Sequence, residues 1–269
     1  IELINFAHGE IYMLGAFTAL LVAGVLGIVG FPAGGILIVA ALAAVVWSAA
    51  YGYTLEKVAY KPLRGAPRLS PLISAIGMSI FLQNYVLLAQ TSDYVPFPRL
   101  LPEMEFLDYL GNIMGPSDFL ILVTSTLAMV SLSLFIRYTR MGKAMRATAQ
   151  NRKMAMLLGI DADRIISLTF IVGSALAALG GVLIASHMGQ VNFGIGFLAG
   201  LKAFTAAVLG GIGSIPGAMV GGLVLGIAES MTTGYLSGNY EDALAFALLI
   251  LILIFPPDGL LGKAKVQKV

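Results

Sequence analysis

The sequence contains no cysteine, so disulfide bonds, iron–sulfur ligation and thiol catalysis are all excluded. Charge is also scarce. Only 11% of the 269 residues are charged, against about 25% in soluble domains. With 58% hydrophobic residues and a mean hydropathy of +0.92, the composition points to a bilayer rather than to a core surrounded by water. The net charge of +2 is too small for a nucleic-acid footprint, and the basic residues gather by loop rather than along a face. The two histidines, His8 and His187, form no H-E-x-x-H motif, and no serine occupies G-x-S-x-G. The pairs Gly142-Lys143 and Gly262-Lys263 lack both the earlier glycine and the following Ser or Thr of a phosphate-cradling loop. The sequence therefore offers no catalytic constellation, and any ATP hydrolysis must come from another polypeptide. The chain opens Ile1-Glu2, with no methionine or basic signal segment, and reads as lacking its natural N-terminus.

Long apolar runs are abundant. A membrane crossing needs ~20 mostly apolar residues, and such runs fall at 5–28, 33–53, 69–90, 118–138, 165–188 and, more briefly, 242–255. A longer glycine-broken region covers 196–233. The pattern predicts an all-α, polytopic membrane protein of about eight helical segments, with 1–269 forming a single transmembrane domain.

The charges orient it. Loop 54–68 carries Lys57, Lys61, Arg64 and Arg68 against one acid, Glu56. Loop 137–164 carries Arg137, Arg140, Lys143, Arg146, Arg152, Lys153 and Arg164, and the tail adds Lys263, Lys265 and Lys268. Loop 91–117 has only Arg99 among Asp93, Glu103, Glu105 and Asp108. By the positive-inside rule the first three regions are cytoplasmic and 91–117 is periplasmic. Residues 189–195 then lie outside and the tail inside. With 242–255 supplying one crossing, 196–233 must cross an even number of times, which predicts two helices hinged around LGGIGSIPGA.

The stretch RMGKAMRATAQNRKMAMLLGI, residues 140–160, is unusual in so apolar a chain. Met141, Ala144, Met145 and Thr148 share one helix face, and Lys143, Arg146, Gln150 and Lys153 another. Gly159 suits a left-handed helix end, Asp161 an N-cap, and Ile160 with Ile165 a hydrophobic staple. The pattern fits an interfacial helix on anionic lipid. The sharper alternative is a docking helix that offers Met154, Leu157 and Leu158 to a groove in a cytoplasmic partner.

Several longer strings together resemble one family: INFAHGEIYMLGAF, VAYKPLR, LISAIGMSIFLQNYV, RYTRMGKAMRA, KMAMLLGI, GFLAGLKAFTAAVLGGIGSIPGAMVGGL and GIAES. They are similar, in order and over nearly the whole chain, to the permease subunits of bacterial high-affinity branched-chain amino-acid ABC importers, the LivH type. The likeness is weakest around 91–117. It implies a further helix before this chain and ATP-driven alternating access for leucine, isoleucine and valine in the inner membrane. The implied partners are two cytoplasmic ATPase subunits that bind ATP and Mg, a second homologous permease subunit, a periplasmic amino-acid-binding protein and membrane lipid. No cofactor of this chain and no nucleic acid are implied. The resemblance also assigns a coupling helix to Asn151, Arg152, Lys153, Met154, Ala155, Met156, Leu157, Leu158 and Gly159. In it Met154, Leu157 and Leu158 would be buried against an ATPase, with Arg152 and Lys153 as rim charges.

Ionisable and polar groups inside spans are functional candidates. Lys202 and Glu229 lie at matched depths on the two hairpin arms, so they suit a pair that either neutralises charge or lines the substrate path. Thr205, Gln83 and Asn84 are further pathway candidates, although Gln83 and Asn84 suit bonding to a neighbouring helix. Asn5, His8 and Glu10 open the first span and are expected to snorkel toward the cytoplasmic interface. The N-terminal dipole near Gly196 could meet a substrate carboxylate. Gly213, Gly217, Gly221, Gly222 and Gly226 repeat at four-residue spacing and predict close helix packing. An ion-coupled secondary transporter of amino acids or other small solutes is the principal alternative. It would need two related halves and no docking helix. A passive channel would need a ring of like charge.

Overall fold

The computed structural model describes residues 5–67, 69–98, 115–255 and 259–262. Ten α-helices follow one another among them: α1 (His8–Ile28), α2 (Ala33–Leu55), α3 (Leu69–Ala89), α4 (Pro116–Tyr138), α5 (Arg140–Gln150), α6 (Arg152–Leu157), α7 (Ala162–Met188), α8 (Ile195–Gly210), α9 (Ile215–Tyr235) and α10 (Glu241–Ile254). Six helices are long and apolar enough to cross a membrane: α1, a continuous Gly34–Leu63, α3, α4, α7 and α9. The protein is thus all-α and multi-pass. The second span does not stop near residue 53. It runs on through a π-helical turn, Glu56–Tyr60, and a 3-10 turn, Lys61–Leu63. Residue contacts divide the chain into two units, Ile1–Leu198 and Ala199–Val269, the division falling inside α8.

In the first unit α1, α2 and α7 pack backbone to backbone. A Cβ on Gly181 would lie 2.2 Å from the Tyr12 carbonyl oxygen, one on Gly15 2.6 Å from Ala178 Cα, and one on Gly52 2.0 Å from Ser174 Oγ. In lipid, helices gain little from mutual hydrophobicity, so close approach through small residues provides the attraction. Ala16, Ala40, Ala44 and Ala178 continue the same small-residue core around Ile11 and Val182. Threonine hydroxyls return to their own helices, as Thr18 does to Leu14 O at 2.7 Å and Thr169 to Ile165 O at 2.8 Å. Such bonds keep these hydroxyls paired in hydrocarbon, whereas the buried Ser48 hydroxyl of α2 has no hydrogen-bond partner among the described residues. Outward, Val25, Leu42, Val46 and Leu127 are exposed, as a lipid-facing surface requires.

The two ends of this unit agree with the charge pattern. At one end β1 (Val95–Pro96) pairs antiparallel with β2 (Gln190–Val191), and Asp118 lies 3.3 Å from His187. The strand pair joins the two regions assigned to one side, 91–117 and 189–195, and Asp118 and His187 meet beside them. At the other end loop 54–68 meets loop 137–164 through Arg64 and Asp163. Residues 99–114 of the 91–117 loop lie outside the described residues.

In the second unit α8 and α9 form the expected hairpin, turning at residues 211–214 within LGGIGSIPGA. Gly211 and Gly213 have φ of 104° and 93°, a conformation that glycine adopts without steric cost. The Ser214 side chain then caps α9 by accepting from Gly217 N at 3.1 Å. Of the glycine repeat, Gly217 and Gly221 touch the opposite arm. Their Cβ atoms would lie 2.3 Å from Gly210 O and 2.1 Å from Ala206 O. The other three depart from the expectation. Gly213 belongs to the turn, Gly222 reaches only Ala206 Cβ at 4.0 Å, and Gly226 has nothing within 4 Å. Gly222 and Gly226 form a second row that begins one residue after Gly221, about 100° farther round the helix, and so miss the contact. After α10 the chain comes back to the hairpin, where Leu260 N and Leu261 N donate to Leu209 O and Gly210 O at 2.8 and 3.0 Å.

Candidate functional site

The segment between α4 and α7 is shaped by a series of caps. Thr139 Oγ1 accepts from Gly142 N at 3.0 Å, starting α5 directly after α4. The bend is so tight that a Cβ on Gly142 would sit 2.4 Å from Ile136 Cα. The expected single helix then breaks at Asn151. This residue is extended, with φ −155° and ψ 102°, and its Oδ1 accepts from Met154 N at 3.1 Å. Asparagine competes with helix propagation by offering just this cap. Eight residues after Asn151, Gly159, at φ 81°, ends α6. Gly159 N bonds Met156 O and Ile160 N bonds Ala155 O, both at 3.0 Å, which is a Schellman closure. Asp161 next caps α7, accepting from Asp163 N and Arg164 N at 3.1 and 3.2 Å.

These caps hold α6 with one apolar side outward. Met154, Leu157 and Leu158 are 58%, 82% and 80% exposed, and Met156 is half exposed. The three side chains expected to meet a partner are thus exposed together. Two residues of the expected set differ. Ala155 is buried at 2% exposure, so it faces the protein rather than the exposed side of α6. Arg152, expected at a rim, turns back instead, and its Nη2 meets Asp163 Oδ1 at 2.9 Å. Asn151, Lys153 and Gly159 remain at the surface.

Arg152 joins a cluster that is not evident from sequence. Arg64 reaches both Glu56, at the end of α2, and Asp163, in the first turn of α7. Lys61 Nζ stands 3.8 Å from Asp163 Oδ2. Glu56 is fully buried, and its other oxygen accepts from Ser167 Oγ at 2.7 Å. Beside the cluster lies a cavity of about 770 Å³, lined in part by Arg64, Arg152, Tyr60, Thr148 and His8. The one sequence signal of this cluster is that Glu56 is the only acid among four basic residues of its loop.

Other polar candidates separate. Glu10 does not snorkel. It is fully buried, and Oε1 accepts from Ser79 Oγ at 2.8 Å and Gln83 Nε2 at 2.9 Å. Those partners sit ten and fourteen residues into α3, or ~15–21 Å at the helical rise, about halfway across a ~30 Å hydrocarbon core. Asn5 is likewise turned inward, its Oδ1 accepting from Tyr60 Oη at 2.6 Å. Gln83 bonds a neighbouring helix, whereas Asn84 returns to Ile80 O of its own at 2.8 Å. The first turn of α8 already has an acidic neighbour. A Cβ on Gly196 would lie 2.6 Å from Glu10 Oε2, an oxygen with no hydrogen-bond donor among the described residues. The carboxylate thus occupies the place expected for a substrate anion, where the helix dipole favours negative charge. In the second unit Lys202 Nζ stands 3.3 Å from Glu229, as the depth match predicts. It also meets Glu241 at 2.5 Å and Asp242 at 3.2 Å, two acids in the first turn of α10 that sequence reasoning missed. Thr205 is buried, and its hydroxyl is spent on Leu201 O at 3.0 Å.

A family model described as branched-chain amino acid transport system / permease component matches residues 1–253. The chain is 50% identical over 273 residues to the high-affinity branched-chain amino acid transport system permease protein LivH of Escherichia coli (strain K12), covering 100% of this chain and 89% of that protein. The figures are the same for the permease protein BraD of Pseudomonas aeruginosa, named for the same kind of system. A probable branched-chain amino acid transport permease protein LivH of Methanocaldococcus jannaschii is 27% identical, over 96% of this chain and 82% of its own length. No solved structure matches.

Proposed function

We propose that this chain, which belongs to the permease component family of branched-chain amino acid transport systems, is the multi-pass inner-membrane subunit of an ABC importer. It carries leucine, isoleucine and valine into the cytoplasm by ATP-driven alternating access. Similarity along the full length to permeases of that name supports the substrate class. The observation that carries the mechanism is α6, a capped helix whose apolar side chains Met154, Leu157 and Leu158 stand exposed among the described residues.

In this reading α6 docks in a groove of an ATPase subunit, and the chain itself catalyses nothing. Two such ATPases bind ATP and Mg, a second homologous permease subunit completes the membrane part, and a periplasmic binding protein delivers substrate. Closure of the ATPases moves α6, and the spans exchange outward for inward access. Close backbone contacts such as Gly15–Ala178 and Gly217–Gly210 let the helices move as packed groups. The Lys202 cluster with Glu229, Glu241 and Asp242, and Gln83 with Glu10, are the polar groups available to a zwitterionic substrate or to the helices that shape its path.

The absence of native cysteine makes the test direct. A single cysteine at Met154, paired with one in the ATPase groove, should cross-link in a manner that changes with ATP while uptake persists. Uptake that proceeds without any such cross-link and follows an ion gradient would make the protein a secondary transporter.

A further inference from the structure

We propose that the cluster of Glu56, Arg64, Asp163 and Arg152 is the linkage through which displacement of α6 is passed to the membrane-spanning helices. The inference rests on the reading of α6 as the coupling helix and adds the residues that connect it inward. A docking helix of six residues, Arg152–Leu157, exposes most of its side chains to its partner, so some internal contact must carry the load. Ala155 supplies a small apolar contact. Arg152 supplies a directional one, the 2.9 Å bond to Asp163 on α7. Asp163 in turn is held by Arg64, whose other end holds Glu56 at the end of α2.

Three properties suit this cluster to transmission rather than to surface decoration. First, guanidinium–carboxylate bonds fix both direction and distance, unlike methyl contacts that slide. Second, the inner end is anchored. Glu56 is fully buried and also holds Ser167 of α7 at 2.7 Å, so releasing it would strand a charge. The cluster therefore shifts with α2 and α7 rather than dissolving into water. Third, Glu56 opens the π-helical turn Glu56–Tyr60, a local widening of the helix that is frequent at functional sites. The adjoining cavity of about 770 Å³, which Arg64 and Arg152 line, leaves room for such a shift. Arg64, Asp163 and Arg152 are positioning residues here, since none of them is placed against the substrate.

The experiment uses the complete transporter in liposomes, with substrate uptake and ATP hydrolysis measured on the same preparation. Wild type is measured first. ATP-independent uptake would remove the coupling-helix reading, and this proposal with it, before any variant is made. Given ATP-driven uptake, Asp163→Asn and Arg152→Gln should each yield assembled complex that still splits ATP. Uptake per ATP should fall at least about fivefold, the lower end of ordinary coupling between sites. The double variant should be no worse than either single one, because both remove the same link. Asp163→Glu, which keeps the charge, should restore most of the ratio. The proposal is overturned by an unchanged uptake-to-ATP ratio in the single variants, whether or not the yield of complex drops. It is equally overturned if the two substitutions multiply their effects.

Discussion

Single side chains in this protein carry consequences set by depth. Glu56 and Glu10 are both fully buried carboxylates, yet among the described residues only Glu56 of the two has a cation, Arg64. Removing one partner of a buried ion pair costs about 3–5 kcal/mol, most of it from the charge left behind. Arg64→Ala should therefore lower the thermal stability of the purified protein sharply. Adding Glu56→Gln to it should recover part of the loss, because the stranded charge is then gone. Loss that deepens in the double variant would show that Arg64 matters for packing instead. At this scale the sequence was informative about which groups matter and poor at placing them. Lys202 and Glu229 could be paired from equal depth alone, since helical rise is a fixed ruler. The acids of α10 could not be added, because nothing in the spacing tells how a third helix approaches. Glu10 was misplaced for a physical reason: a carboxylate early in an apolar run was taken to reach for the membrane surface, whereas it turns inward to Ser79 and Gln83, ten and fourteen residues into α3.

Helices and turns were more legible where one residue type dictates the backbone. Gly159 and Asp161 could be read as cap residues because a left-handed end and an exposed helix start each favour a short list of side chains. Asn151 hid in a run of good helix formers, and a π-helical turn has no composition of its own. Of the five ridge glycines only Gly217 and Gly221 meet the opposite arm, and the difference can be measured. Gly217→Ala must push its Cβ into Gly210 O, an overpacking that costs about 1–3 kcal/mol. Gly226→Ala meets open space and should gain up to about 1 kcal/mol from restricted backbone freedom. Denaturation in detergent should therefore separate the two variants in opposite directions. Equal effects would mean that the arms of the hairpin are not in contact as described.

For the molecule as a whole, alternation of charged loops with apolar spans carried the topology. The contacts that tie 95–96 to 190–191, and Arg64 to Asp163, join loops of like assignment. A membrane-impermeant thiol reagent should therefore label Asp93→Cys from the periplasmic side of spheroplasts and leave Lys153→Cys untouched until the membrane is opened. Labelling of both from one side would break the alternation. What the pattern could not foresee was the closing stretch at 259–261, because it binds through main-chain amides and leaves no mark in side-chain chemistry. That stretch has a practical consequence. Its amides hold the last carbonyls of α8, and Gly259 stands so near Gly211 that a Cβ there would sit 2.4 Å from its nitrogen. Residues 259–261 are therefore wired to the hairpin turn. A fluorophore attached at Gly262 would rise and fall with that turn, giving an optical reporter of the transport cycle that requires no substitution in any span.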